Sequence, residues 1–219
     1  MSTYISMIRG INVGGKRIKM AELRDIYISM GFKQVKTYIQ SGNVIFKSEN
    51  RNPEYLAKII GEKILETFNY TVKVVIMTIN ELKQVVEAFP FKDKDEKYVH
   101  VTFLSETPSD KLIKEIDSSL IKGMKDSEQF IICSREIYLY LPDGYGRTKL
   151  NNNFFEKKLQ LTATTRNWKT VNKLLEIAVS VEDDWNQIII QNLFFYQFRD
   201  LQSAEYKLKK NYFKKLKKK

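Results

Sequence analysis

"QVKTYIQSGNVIFKS", residues 34–48, decides the fold. "QVKTYI" and "NVIFKS" read as two strands, and Ser41-Gly42 between them is a hairpin signal. A strand and a helix come before it. "TYISMIRGI" (3–11) has strand character. In "KMAELRDIYISMGF" (19–32), Met20, Leu23, Tyr27 and Met30 fall near helical spacing, and Gly31 sits where a C-terminal cap belongs. A helix and a strand come after it. "NPEYLAKIIGEKILETF" (52–68) opens with Asn52 as N-cap and Pro53 at the first helical position, and "TVKVVIM" (71–77) is a strand. The order is β-α-β-β-α-β, the ferredoxin-like split unit.

The same order recurs downstream. A connecting helix in "TINELKQVVEAF" (78–89) leads to the polar bridge "PFKDKDEK" (90–97), the expected domain boundary. "YVHVTFLS" is a strand and "PSDKLIKEIDSSL" a helix. "EQFIICS" and "EIYLYLP" form a hairpin around Ser134-Arg135. "NNNFFEKKLQL", "ATTR" and "NWKTVNKLLEIAVSV" follow as helix, strand and helix. The fold expected is α+β. It has two tandem ferredoxin-like units, 1–89 and 90–180, and a helical, Lys-rich extension, 181–219. The halves share element order, with no convincing residue-level repeat.

The totals are those of a packed globular chain: 219 residues, 43% hydrophobic, with 13 Phe and 12 Tyr. No apolar run reaches the length of a membrane span, and the N-terminus lacks the basic region and cleavage site of a signal peptide. One cysteine, Cys133, allows no internal disulfide and fits a reducing cytoplasm. The net charge is +11, but residues 201–219 carry eight Lys and one Glu. The body is therefore only mildly basic. The tail, with Leu208, Tyr212 and Leu216 four apart, reads as a basic amphipathic helix able to bind nucleic acid or an acidic surface without sequence preference.

"RGINVGGKR" (9–17) is the stretch that suggests chemistry. From Gly10 it runs Gly-x-x-x-x-Gly-Lys but ends in Arg17, where a P-loop needs Ser or Thr for Mg²⁺. The split unit also lacks the parallel sheet of P-loop enzymes, and the helix starts near Lys19 or Met20. In a ferredoxin-like sheet the third strand lies between the first and second. The loop after the first strand then meets the turn of the hairpin. Arg9, Asn12, Gly14, Gly15, Lys16, Gln40, Ser41 and Asn43 are brought to one edge. Glycines free the backbone N–H groups and the next helix adds its positive end, so the edge reads as an anion site. A ligand-free structural turn is the competing reading. In the second unit, "DGYGRTK" (143–149) and "TTRNW" (164–168) bring Arg147, Lys149, Arg166 and Asn167 to another edge. There the competing reading is a helix N-cap by Thr165 or Asn167.

"YISMIRGINVGGKRIKMAELR", "VKTYIQSGNVIF", "GYGRTKLNN" and "ATTRNWKTVNKLLEIA" resemble the bacterial and archaeal domain-of-unknown-function family numbered 1697, over roughly residues 1–178. The resemblance implies a duplicated ferredoxin-like architecture. It implies no activity and no catalytic residue.

Other chemistry is sparse. The one histidine, His100, sits on the polar side of its strand with Tyr98 and Thr102. Cys133 lies in an apolar run and reads as an inert core thiol. No His/Cys spacing suits zinc, no nucleophile elbow precedes His100, and the RNP aromatics of an RRM are missing. No metal or cofactor is expected. The leading expectation is a binding module for a phosphate-bearing small molecule at residues 9–17. Two alternatives stand beside it. One is a metal-free hydrolase or transferase acting on phosphate or acyl phosphate at that loop, with Arg9 and Asn43 as its working pair. The other is an interaction protein acting through its tail.

Overall fold

The computed structural model describes residues 1–13, 15–120, 124–185 and 187. The hairpin forms as β2 (Lys33–Tyr38) and β3 (Asn43–Ser48), with Gly42 at φ +73° between them. It follows β1 (Ser2–Ile8) and α1 (Met20–Ser29), and α1 ends at Gly31 with φ +84°. The Asn52 side chain accepts from Tyr55 N–H at 3.0 Å and starts α2 (Pro53–Phe68). β4 (Val74–Thr78) begins three residues later than the sequence suggests, although Arg9 N–H still bonds Lys73 C=O at 2.8 Å. Thr78 and Glu81 form a capping box that launches α3 (Ile79–Glu87).

The second half repeats the order with β5 (Val99–Leu104), α4 (Asp110–Leu120), β6 (Gln129–Cys133), β7 (Glu136–Tyr140), α5 (Asn152–Leu159) and β8 (Ala163–Asn167). A sixth helix, α6, begins at 168. The result is an α+β fold with two four-stranded antiparallel sheets, ordered β2-β3-β1-β4 and β6-β7-β5-β8. Both lie in one compact unit, Met1–Val179; Ser180–Lys219 forms another, in which 180–185 are helical. The expected Lys-rich helix over 201–219 lies outside the described residues.

The central strands of each sheet, β1 and β3 in one and β5 and β7 in the other, are buried on both faces and are mostly apolar on both, while the edge strands β2 and β6 are partly exposed. Tyr4 and Ile8 of β1 pack with Leu23, Tyr27, Leu56 and Ile60 of α1 and α2. Ser6 on that face bonds the Tyr27 hydroxyl at 2.7 Å. Ile5 and Met7 point the other way and are equally buried. In the second sheet Leu104, Ile137 and Leu139 pack with Ile116 and Phe155 of α4 and α5, while Val99, Val101, Phe103 and Tyr138 occupy the opposite, inner face. The Tyr138 hydroxyl crosses to α3 and donates to Val85 C=O at 2.7 Å. Phe89 stacks on Trp168 at 4.2 Å, tying the end of α3 to the start of α6. The 90–97 bridge is packed as well, with Phe91 buried.

Candidate functional site

The glycine loop and the hairpin turn meet, as the strand order requires. Asn12, at φ +57°, is the clasp. Its side chain accepts from Ile18 N–H at 2.9 Å and donates to Ile18 C=O at 2.9 Å and Gln40 C=O at 2.8 Å. Its own N–H bonds Lys16 C=O at 2.7 Å. A Cβ on Gly42 would stand 2.7 Å from Ile11 Cδ1 and 3.1 Å from Ile8 Cβ, so only glycine lets the turn lie this close to the loop. Lys16 turns aside and donates to Thr71 C=O at 2.6 Å. Gly15 and Gln40 are exposed, and Gly14 lies outside the described residues.

Arg9, Ser41, Asn43 and Arg166 are drawn into a joint between the two halves. Arg166 Nε donates to Asn43 Oδ1 at 2.6 Å, and its Nη2 donates to Ser41 C=O at 2.8 Å and Ile8 C=O at 3.3 Å. Its Nη1 bonds Thr164 Oγ1 and Thr165 C=O, both at 2.9 Å. Burial pushes the Arg166 pKa down to about 10, which leaves the guanidinium charged at neutral pH. Asn43 donates in turn to Ser41 Oγ at 2.8 Å and Tyr38 C=O at 3.2 Å. Arg9 reaches α5, donating to Asn153 Oδ1 at 2.6 Å and Glu156 Oε2 at 3.3 Å, and Lys73 lies 3.5 Å from the other Glu156 oxygen.

The second edge assembles differently from the expected cation cluster. Arg166 points inward. Asn167 caps α6, its side chain accepting from Thr170 N–H at 2.8 Å. Arg147 and Lys149 are exposed, and no hydrogen bond links either to Arg166 or Asn167. The physical reason is strand alternation: Arg166 and Asn167 leave β8 on opposite sides, and the buried side of the joint takes the arginine. Tyr145 occupies the remaining space, stacking on His100 at 5.3 Å and donating to Thr165 Oγ1 at 3.1 Å. Burial holds the His100 pKa below its ordinary value.

What stays open lies on the other side of Asn12. A cleft of about 660 Å³ is lined by Asn12, Gln40, Arg17, Lys19, Met20 and Glu22, among others. It sits at the start of α1, whose N-cap residue, Lys19, supplies no side-chain hydrogen bond. The first amides of α1 are thus left without a side-chain acceptor. Arg17 has no ion-pair partner among the described residues, and Lys19 pairs only loosely with Glu22, at 3.6 Å. Arg17 and Lys19 are not among the residues expected from the sequence to bind a ligand at this edge, which run from Arg9 to Lys16 and from Gln40 to Asn43. Their position just before the first helical turn was the signal.

Two further features bear on chemistry. Glu136 opens β7 on the inner face, where burial and the Glu81 carboxylate raise its pKa to about 7 against the pull of Arg135. Among the described residues no group of three or more His, Cys, Asp or Glu is placed to hold a metal ion, and no helix is long and apolar enough to cross a membrane.

A family model described as "Protein of unknown function (DUF1697)" matches residues 1–138. It ends before "GYGRTKLNN" and "ATTRNW". Among curated proteins none matches the chain. Solved structures similar to it include the conserved bacterial protein SP0830 from Streptococcus pneumoniae. That likeness has 23% identity and a TM-score of 0.62, and covers 81% of this chain and 98% of that one. At that identity it speaks for the fold alone. With more than half its length matched by the model, the chain belongs to the DUF1697 family of proteins of unknown function.

Proposed function

We propose that this protein is a cytoplasmic binding module for a phosphate-bearing small molecule, held in the cleft before α1. The observation that carries the reading is the pairing of Arg17 and Lys19 with a helix start that has no side-chain cap, in a cleft large enough for a nucleotide-sized ligand. Arg17 supplies a forked donor, Lys19 a mobile charge, and the α1 amides the remaining donors. Asn12 holds the loop in shape and Gln40 closes the far wall. We also infer that each half is a ferredoxin-like unit, since the strand orders β2-β3-β1-β4 and β6-β7-β5-β8 follow that pattern.

Binding is favoured over turnover by the fate of the two residues that a phosphate-processing enzyme would use at this loop. Arg9 is committed to Asn153 and Glu156, and Asn43 to Arg166. An enzyme on acyl phosphate would need both turned toward substrate.

Thermal shift of the full chain with inorganic phosphate, pyrophosphate and nucleoside mono-, di- and triphosphates tests the reading. A ligand that binds only the folded state raises Tm by mass action. The expected result is a rise for at least one of these that disappears in Arg17→Ala/Lys19→Ala. A rise that is unchanged in this variant and lost on removing 201–219 would assign anion binding to the tail instead.

A further inference from the structure

We propose that the outer edge of β4 is a docking groove for an extended peptide of a partner protein, which would join the first sheet as a fifth strand. The edge faces away from β1. Because Arg9 N–H bonds Lys73 C=O, the alternation of an antiparallel ladder turns Lys73, Val75 and Met77 toward β1 and Val74, Ile76 and Thr78 outward. Two outward groups are taken by side chains. Thr78 N–H donates to Glu81 at 2.7 Å, and Ile76 C=O accepts from Arg135 Nη2 at 3.0 Å. Val74 N–H, Val74 C=O and Ile76 N–H have no partner among the described residues. Yet Val74 is only 8% exposed and Ile76 only 2%, so these groups lie in a recess rather than on an open face.

The recess is a cleft of about 400 Å³ whose floor is Val74–Ile76. The start of α2 forms one wall, and Ser105, Glu106 and Arg135 form the other. A second hollow shares Val74 and Ala57 and continues it along Thr71–Lys73. An extended backbone presents donors and acceptors at the spacing this edge lacks. It would exchange two bonds with Val74 and accept one from Ile76 N–H. Arg135 stops the new strand beyond that point. Of the charges that line the cleft, Arg135 is paired with Glu81, while Arg51 and Glu54 at the start of α2 and Glu106 on the opposite wall are exposed and have no ion-pair partner among the described residues. The unpaired charge is net negative, so the peptide that fits carries a basic side chain between Glu54 and Glu106. This groove is independent of the cleft before α1.

The test selects random heptapeptides displayed on phage against the full chain. Synthetic versions are then measured against Val74→Pro, which removes one edge donor while leaving the β1 side intact, and against Glu54→Lys/Glu106→Lys. The expected result is basic peptides that lose at least about tenfold in affinity in both variants and slow the exchange of the Val74 and Ile76 amides. Selection of no peptide would overturn the proposal, and so would peptides indifferent to either variant. If Val74→Pro does not fold, amide exchange decides. In the free protein Val74 and Ile76 must exchange faster than Val75 and Met77, and equal protection would show that the edge is already covered.

Discussion

The β1–α1 connection runs from Arg9 to Lys19, whereas its counterpart in the second half, between β5 and α4, needs only Ser105 to Ser109. The short version shows that this fold can pass from first strand to first helix without a glycine-rich loop. The long version therefore has another job. Part of that job is structural, since Arg9 leaves it to grip α5. It also lines, with Gln40, the cleft that holds Asn12, Arg17 and Lys19.

The halves meet at two joints of related geometry. In each, the turn before the third strand of one half meets the fourth strand of the other. At one joint Arg166 on β8 reaches Ser41 and Asn43. At the other Arg135, in the β6–β7 turn, reaches Ile76 on β4 and Glu81 at 2.7 Å. Both arginines come from the second half. The matching positions in the first half are Met77 for Arg166 and Gly42 for Arg135. Similar topology is thus held together by unlike residues.

The largest effect is expected from removing Arg166. Arg166→Leu strands Asn43 Oδ1 and the backbone carbonyls of Ile8, Ser41 and Thr165 at the joint. We expect a loss of about 3 kcal/mol or more in urea unfolding. A loss below about 1 kcal/mol would mean the joint does not hold the halves together. Gly42→Ala comes next, since the added Cβ meets Ile11 at 2.7 Å in a left-handed turn. About 2 kcal/mol is expected, with the glycine loop shifting in NMR spectra.

Glu136 stands where the first half has Asn43, as the first residue of the third strand. Its folded-state pKa of about 7 exceeds the ordinary 4.5. Between those values the folded chain holds a proton that the unfolded chain has released. Stability should therefore be fully present below about pH 4.5 and be lost as pH rises through about 7, by on the order of 2 kcal/mol. Glu136→Gln should remove this slope, read from urea midpoints at pH 5 and pH 8. An unchanged slope would assign it to other groups. The smallest effect is expected at Ile39, a β-branched, half-exposed residue at φ +46°. Ile39→Asn, which tolerates that conformation, should stabilise by about 1 kcal/mol. A gain in stability with weakened anion binding would show that the strained turn serves the cleft.

The element order was legible because local signals agreed with one another: Gly31 at the end of α1, Asn52-Pro53 before α2 and the turn at Gly42. The convergence of loop and turn followed from strand order alone. The roles of the polar side chains were not legible, because they depend on partners far along the chain. Arg166 lies 123 residues from Asn43, and nothing near either one announces the other. Arg9 and Asn43 looked like ligand-binding groups for the same reason that they suit a joint: each offers several directed hydrogen bonds at a strand end. Arg17 and Lys19 stand just before a helix start that the sequence does place, but the cleft beside them depends on Gln40 and the hairpin turn, which only the fold brings there.

Anion binding by the long β1–α1 connection is read residue by residue in a ¹H–¹⁵N NMR titration of the full chain with pyrophosphate and a nucleoside triphosphate. Saturable shifts are expected to concentrate at Met20, Ala21 and Glu22 and at the Arg17 side chain, and to vanish in Arg17→Ala/Lys19→Ala. Shifts confined to 201–219, or none at the start of α1, would contradict binding there.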